Sequence, residues 1–208
     1  MTACLELAPG VMLWPGRLDG KTQQLLLQDV LGRVAAAPFY RPTMPGTGKE
    51  FSVEMTNFGP LGWVSDKKGY RYQARHPVTD APWPAMPELL LSLWNEATDY
   101  RAPPEACLVN LYRAAARMSL HQDMDEDAPD APVLSISLGD NALYRFGGTK
   151  RGGPTKSVKL SSGDVLMFGG PARFIYHGID RIQAGSSTLV PGGGRINLTL
   201  RRVTAAPK

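Results

Sequence analysis

Cysteine is scarce. Cys4 and Cys107 are the only two in 208 residues, they lie far apart, and no CxxC occurs. That excludes a disulfide scaffold and a zinc ribbon, and it fits a reducing compartment. Long apolar runs are also missing. No stretch approaches the roughly 20 apolar residues of a membrane-spanning helix. The opening Met-Thr-Ala-Cys-Leu-Glu-Leu has neither the basic start nor the apolar run of a secretory signal. The chain therefore reads as cytoplasmic, with no membrane partner. Neither charge dominates, with 23 Lys+Arg against 19 Asp+Glu and a net charge of +4. Such a balance permits a polyanionic partner without requiring one. Turn formers are plentiful, with 22 glycines and 18 prolines, and 43% of residues are hydrophobic. The length and apolar content suffice for a core, and the turn content favours a β-rich domain over a helix bundle.

Residues 1–18 read as a short extended lead-in. From Asp19 to about Ala36, Leu26, Val30 and Val34 recur at helical spacing. Asp19 or Thr22 can cap that helix, and Pro38 stops it. A second helix is predicted from about Pro87 to Thr98, with Met86, Leu90, Leu93, Trp94 and Ala97 in one stripe. Between the two, Trp63, Tyr70 and Tyr72 are interleaved with Lys67, Lys68, Arg71 and Arg75. This stretch is either a β-hairpin cover or a surface that stacks on flat ligands, as in single-strand nucleic acid binding. His76 within it reads as solvated. After Ala106, short strands separated by turns are predicted at Cys107–Tyr112, Val133–Leu138, Ala142–Phe146, Ser157–Leu160, Asp164–Phe168, Arg173–Tyr176 and Arg195–Arg202. Many short strands at this spacing point to a jelly roll.

Side chains alternate between the two faces of a strand. In the last strand, Arg195, Asn197, Thr199 and Arg201 share one face, and Ile196, Leu198 and Leu200 share the other. The polar face is either a wet edge or a cradle for carboxylates, since arginine binds carboxylate as a bidentate fork. In the same way Leu108, Asn110 and Tyr112 face away from Cys107, Val109 and Leu111. His121 and Asp123 lie two apart, so both point one way on an extended segment. His177 could be a third ligand. Two histidines and a carboxylate make the facial triad of non-haem Fe(II) oxygenases, which leaves positions open for co-substrate and O2.

The set His121-x-Asp123, His177 and Arg195-x-Asn197-x-Thr199-x-Arg201 closely resembles the AlkB family of Fe(II)/2-oxoglutarate-dependent dioxygenases, and in particular its bacterial demethylases. Met55-Thr56-Asn57, Leu61-Gly62-Trp63, Gly69-Tyr70, Pro82-Trp83-Pro84-Ala85-Met86-Pro87, Ser119-Leu120 and Phe146-Gly147-Gly148 agree as well, so the likeness covers nearly all of residues 51–202. It implies a mainly β fold with flanking helices (α+β), a double-stranded β-helix or jelly roll. Residues 1–208 then form one dioxygenase domain: an N-terminal extension and helix over about 1–38, a nucleotide-recognition lid over about 39–86, and a helix plus catalytic core over about 87–208.

The resemblance also implies a ligand set. Fe(II) falls to His121, Asp123 and His177. For 2-oxoglutarate, Arg195 and Tyr112 take the distal carboxylate, and Arg201, Asn197 and Asn110 lie near the iron. Leu111 and Thr199 complete the co-substrate residues, and O2 is the second co-substrate. Trp63 stacks on the damaged base opposite His121, while Tyr70, Arg71 and Tyr72 contact the strand backbone. Asp125 meets the exocyclic amino group, Arg151 lines the same pocket with Glu126 orienting it, and Met55 and Leu108 pack nearby. The implied reaction is oxidative removal of N-methyl groups from 1-methyladenine and 3-methylcytosine in single-stranded DNA. It releases formaldehyde, succinate and CO2. Methylated RNA or tRNA is the alternative substrate, and a non-catalytic nucleic-acid-binding module is the alternative class. A monomer is expected.

Overall fold

The computed structural model describes residues 3–206. Among them run β1 (Leu5–Ala8), β2 (Val11–Trp14), α1 (Gly20–Val34), β3 (Glu54–Phe58), β4 (Gly62–Asp66), β5 (Gly69–Gln73), α2 (Glu88–Ala97), β6 (Ala106–Tyr112), β7 (Met118–His121), β8 (Val133–Gly139), β9 (Ala142–Gly147), β10 (Thr155–Leu160), β11 (Val165–Phe168), β12 (His177–Ile182) and β13 (Arg195–Arg201). The strands form a seven-stranded sheet in the order β1-β2-β11-β8-β13-β6-β3, a four-stranded sheet in the order β10-β9-β12-β7, and a separate β4–β5 hairpin.

Local chemistry accounts for the helices. The Asp19 carboxylate accepts the Thr22 backbone N–H at 2.7 Å and caps α1. Both helices bury one stripe, Leu26, Leu27 and Val30 from α1 and Leu90, Leu93 and Trp94 from α2. These stripes pack on Val109, Leu111, Ile136, Leu138, Ile196 and Leu198 of the large sheet. Each buried leucine contributes about 1.5–3 kcal/mol of transfer free energy. The opposite face of the large sheet meets the small sheet across a second core that includes Val133, Leu166, Phe168, Tyr144, Phe146, Ile179 and Ile182. The result is a jelly roll with a helical layer outside one sheet.

Several expectations change here. The lead-in is a hairpin, and β2 pairs with β11 as part of the large sheet. The segment over 39–86 is not all apart from the sandwich, because β3 pairs with β6. Arg173–Tyr176 is not a strand. A 3-10 turn at Gly170–Ala172, entered through Gly170 with φ +51°, delays the strand to His177. His76 is buried rather than solvated. Its ring packs between Tyr40 and Trp83, both with centroids at 5.1 Å. Its Nδ1 accepts the Val78 and Thr79 backbone N–H groups, which leaves Nε2 to donate to the Pro38 carbonyl at 2.8 Å.

Candidate metal centre and co-substrate pocket

Strand pairing assembles the site from both sheets. In the small sheet His121 of β7 is the direct register partner of His177 of β12. The two rings stand with centroids 4.6 Å apart. This close approach requires glycine after His177, since a Cβ on Gly178 would lie 2.4 Å from the Met118 carbonyl oxygen. Asp123 follows two residues after His121. One ligand atom from each of His121, Asp123 and His177 falls within 4.8 Å of the others. The Asp123 oxygens lie 3.5 Å and 3.7 Å from the two Nε2 atoms. Each Nδ1 faces a carbonyl, Ser119 at 2.9 Å for His121 and Ile175 at 3.2 Å for His177. Such bonds fix the tautomer and aim both Nε2 lone pairs at a common point, as ligating histidines require.

The protonation states suit a cation. Burial pushes the His177 imidazole down to about 4, so it is neutral near pH 7. Burial alone would raise the Asp123 carboxyl. Arg201, then His177 and His121, outweigh that and hold it below the ordinary carboxylate range. Asp123 Oδ2 is buried and has no hydrogen-bond partner among the described residues, a cost repaid if it binds a metal.

In the large sheet, register places Arg195 beside Tyr112, Asn197 between Asn110 and Ser137, and Thr199 between Leu108 and Ser135. The polar face of β13 is thus not a wet edge: Arg195 is 1% exposed and Asn197, Thr199 and Arg201 are buried. Asn197 donates to the Ser135 hydroxyl at 2.7 Å, and the Thr199 hydroxyl donates to Asn197 Oδ1 at 2.9 Å. Arg195 spends one Nη on the Ser137 hydroxyl at 2.9 Å. Its Nε and other Nη stay buried without a partner among the described residues, as does the Tyr144 hydroxyl. Burial pushes the Tyr112 hydroxyl up to about 12, so it remains a donor beside that guanidinium. A cation with two unpartnered nitrogens next to the Tyr112 hydroxyl fits a carboxylate. The donor sets therefore fit both Fe(II) and 2-oxoglutarate. Arg195→Met is expected to raise the KM for 2-oxoglutarate about 10–100-fold, the value of a charged hydrogen bond. Succinate formation across a 2-oxoglutarate titration checks it.

One cavity of about 700 Å³ connects these groups, a size typical of ligand sites. It is lined by the triad, by Asn110, Tyr112, Arg195, Asn197, Thr199 and Arg201, and by Met55, Trp63, Tyr70, Leu108, Asp125 and Arg151. Leu111 is not brought there. Alternation turns it to the other face of β6, into the core under the helices. Arg71 also points away. It pairs across the hairpin with Val64, opposite the Trp63–Tyr72 face, and forms an ion pair with Asp66 at 2.8 Å. Tyr72 is spent inside the protein, with its hydroxyl on Glu126 and Arg201. Glu126 does not orient Arg151. Its side chain is wholly buried between Arg173 at 2.9 Å and Arg201 at 3.1 Å, while Arg151 lies over the Tyr176 ring at 5.4 Å.

Sequence reading missed Arg173, Tyr144 and the two serines of β8. Arg173 also donates to the Asp123 carbonyl at 2.7 Å, so it clamps the ligand loop. A tyrosine on the apolar face of β9, between Ala142 and Phe146, was a usable signal because its buried hydroxyl needs a partner. Arg173 carried no such signal, because its partners lie about fifty residues away.

Known proteins agree with this geometry. The family model described as the 2OG-Fe(II) oxygenase superfamily matches residues 10–201. A Caulobacter vibrioides protein named alpha-ketoglutarate-dependent dioxygenase AlkB homolog is 56% identical over 204 residues, 97% of this chain and 91% of that one. The Escherichia coli alpha-ketoglutarate-dependent dioxygenase AlkB is 42% identical over 183 residues, 85% of this chain and 83% of its own. A solved structure of OsALKBH1 superposes with a TM-score of 0.81 at 29% identity, covering 96% of this chain and all of that one. Among the described residues no helix is long and apolar enough to cross a membrane. With Fe(II), 2-oxoglutarate and O2 as its cofactor and co-substrates, the chain belongs to the AlkB dioxygenases of the 2OG-Fe(II) oxygenase superfamily.

Proposed function

We propose that the protein is an oxidative demethylase of N-alkylated bases, 1-methyladenine and 3-methylcytosine, in single-stranded DNA, with RNA as a second substrate. The observation that carries the reading is the single cavity in which the triad and the Arg195 cradle open toward Trp63, Tyr70 and Asp125. More distant relatives of the chain are named for demethylation of DNA in Arabidopsis thaliana and of tRNA in Schizosaccharomyces pombe.

When bound, the iron supplies oxidation of the N-methyl group by O2, with 2-oxoglutarate leaving as succinate and CO2. The hydroxymethyl product then sheds formaldehyde. The chain's own residues hold and sort the substrate. His121, Asp123 and His177 hold the metal, and Arg195 with Tyr112 holds the distal carboxylate. Tyr70 stacks on Trp63 at 5.5 Å with the rings inclined by 21°, so a base uses the other face of the indole. The expected substrates are cationic, and a tryptophan face attracts a cation by about 0.5–2 kcal/mol. Asp125 accepts the Trp63 indole N–H at 2.8 Å through Oδ2, which leaves Oδ1 for an exocyclic amino group. A methyl group on the Watson–Crick edge has already broken pairing, which lowers the cost of extruding the base. The cavity is lined by one chain, which supports a monomer, and the reading places the protein in the cytoplasm.

The direct test is an aerobic assay with Fe(II), ascorbate, 2-oxoglutarate and a single-stranded oligonucleotide carrying one 1-methyladenine. Loss of one methyl mass matched by succinate is expected. Succinate without methyl loss on DNA, but with loss on matched RNA, would move the substrate to RNA. The absence of both products would overturn the reading. Trp63→Ala is expected to weaken oligonucleotide binding by about 1–3 kcal/mol, the value of one stacked base. Fluorescence anisotropy measures it, and substrate-free 2-oxoglutarate decay should persist.

A further inference from the structure

The small sheet keeps its outward face open to solvent. On that face Leu143 and Arg145 are half-buried, and Ser157, Lys159 and Arg181 are exposed. Its charge is predominantly positive. Residues 142–160 carry five cations, Arg145, Lys150, Arg151, Lys156 and Lys159, and no carboxylate, and β12 adds Arg181 and Asp180. The cation excess of this corner is larger than the +4 of the whole chain, so the rest of the molecule is not basic.

Register spaces these groups regularly. Lys159 is opposite Leu143, and Leu143 is opposite Arg181, with Arg145 two residues along β9. From strand spacing and rise, Lys159 and Arg181 stand about 10 Å apart and Arg145 about 8 Å from each. Asp180 reaches Arg145 at 3.5 Å and Arg181 at 3.4 Å, so one carboxylate serves two guanidinium groups. Lysine on an edge strand commonly guards it against pairing. That explains Lys156 and Lys159 on the edge strand β10, but not Arg145 and Arg181 on the interior strands β9 and β12. The turn of the β9–β10 hairpin carries the series to the cavity, where Arg151 is a lining residue.

We infer that this outward face binds the sugar–phosphate backbone of the substrate strand beyond the nucleotide held in the cavity. The inference rests on the nucleic-acid reading above. A spread row of cations without base-facing aromatics suits phosphate, which any sequence presents. The face therefore adds affinity with strand length but no preference for the lesion.

The test uses the full chain and the double variant Lys159→Glu with Arg181→Glu. Binding to an unmodified single strand of about 25 nucleotides is followed against salt. The slope of log K against log salt is expected to fall by about 1.4, two phosphate contacts at about 0.7 each. Lys21→Glu on α1 should leave the slope in place. Turnover of a lesion-bearing trinucleotide and of the long strand is then compared, and the advantage of the long strand should shrink in the double variant. An unchanged slope and advantage would overturn the inference. So would a loss of binding to phosphatidylserine vesicles with none to the strand, which would give the face to membranes. If the wild type demethylates neither substrate, the demethylase reading fails while the slope still decides the face. Should the double variant not fold, Lys159→Gln and Arg181→Gln are each expected to lower the slope by about 0.7.

Discussion

Asp123→Ala is expected to lower succinate formation by more than about 100-fold, beyond the 10–100-fold that loss of an outer-shell partner of a metal ligand costs. The carboxylate serves two partners. Its Oδ1 takes an Arg201 Nη at 2.7 Å, and its Oδ2 is the buried oxygen without a partner. Removing it takes away a charged metal ligand from between the two imidazoles and leaves Arg201 only Glu126 and the Tyr72 hydroxyl. Asp123→Asn separates these effects, because it keeps the volume and one acceptor for Arg201 while losing the charge. Both variants should bind Mn(II) more weakly in a calorimetric titration, and Asn should melt closer to wild type than Ala. Undiminished succinate from either variant would mean that another carboxylate completes the centre.

Glu126→Ala is expected to cost about 3–5 kcal/mol of stability, as for other buried ion pairs broken from one side. In a domain of this size that lowers the melting temperature by about 10 °C. The Glu126 side chain is fully buried, and those of Arg173 and Arg201 are 3% and 8% exposed. Loss of this carboxylate leaves Arg173 with only backbone carbonyls. Arg201 keeps Asp123, so the damage centres on Arg173 and on the Tyr72 hydroxyl. Glu126→Gln retains an acceptor and should lose less. Because Tyr72 ties β5 to this group, the β4–β5 hairpin should loosen together with the core, and hydrogen exchange in β5 would report it. A melting temperature within a degree of wild type would show that the network contributes little.

The alternation in Arg195–Arg201 and Cys107–Tyr112 by itself sorts the cavity-facing side chains from the core-facing ones. By the same rule the Leu111 side chain turns to the core face of β6. Asp19, with Leu26 and Val30, placed α1 closely. These features depend on neighbours within a few residues, where periodicity and capping act.

Side-chain partners across long separations were not legible. Arg71 and Tyr72 sit side by side in a basic, aromatic stretch that suggested a nucleic acid surface for both. The pleat sends Arg71 to Asp66 on one face of the hairpin and Tyr72 to Glu126 on the other. His76 looked solvated among prolines, yet Tyr40 and Trp83 close around it. His121 and His177 become neighbours through a register between β7 and β12 that no local pattern specifies. The covalent order of residues thus settles which groups each strand offers to each face, because side-chain alternation is built into the backbone. Which groups meet is settled by packing two sheets, since burial leaves a polar atom only the partners that strand register brings within reach.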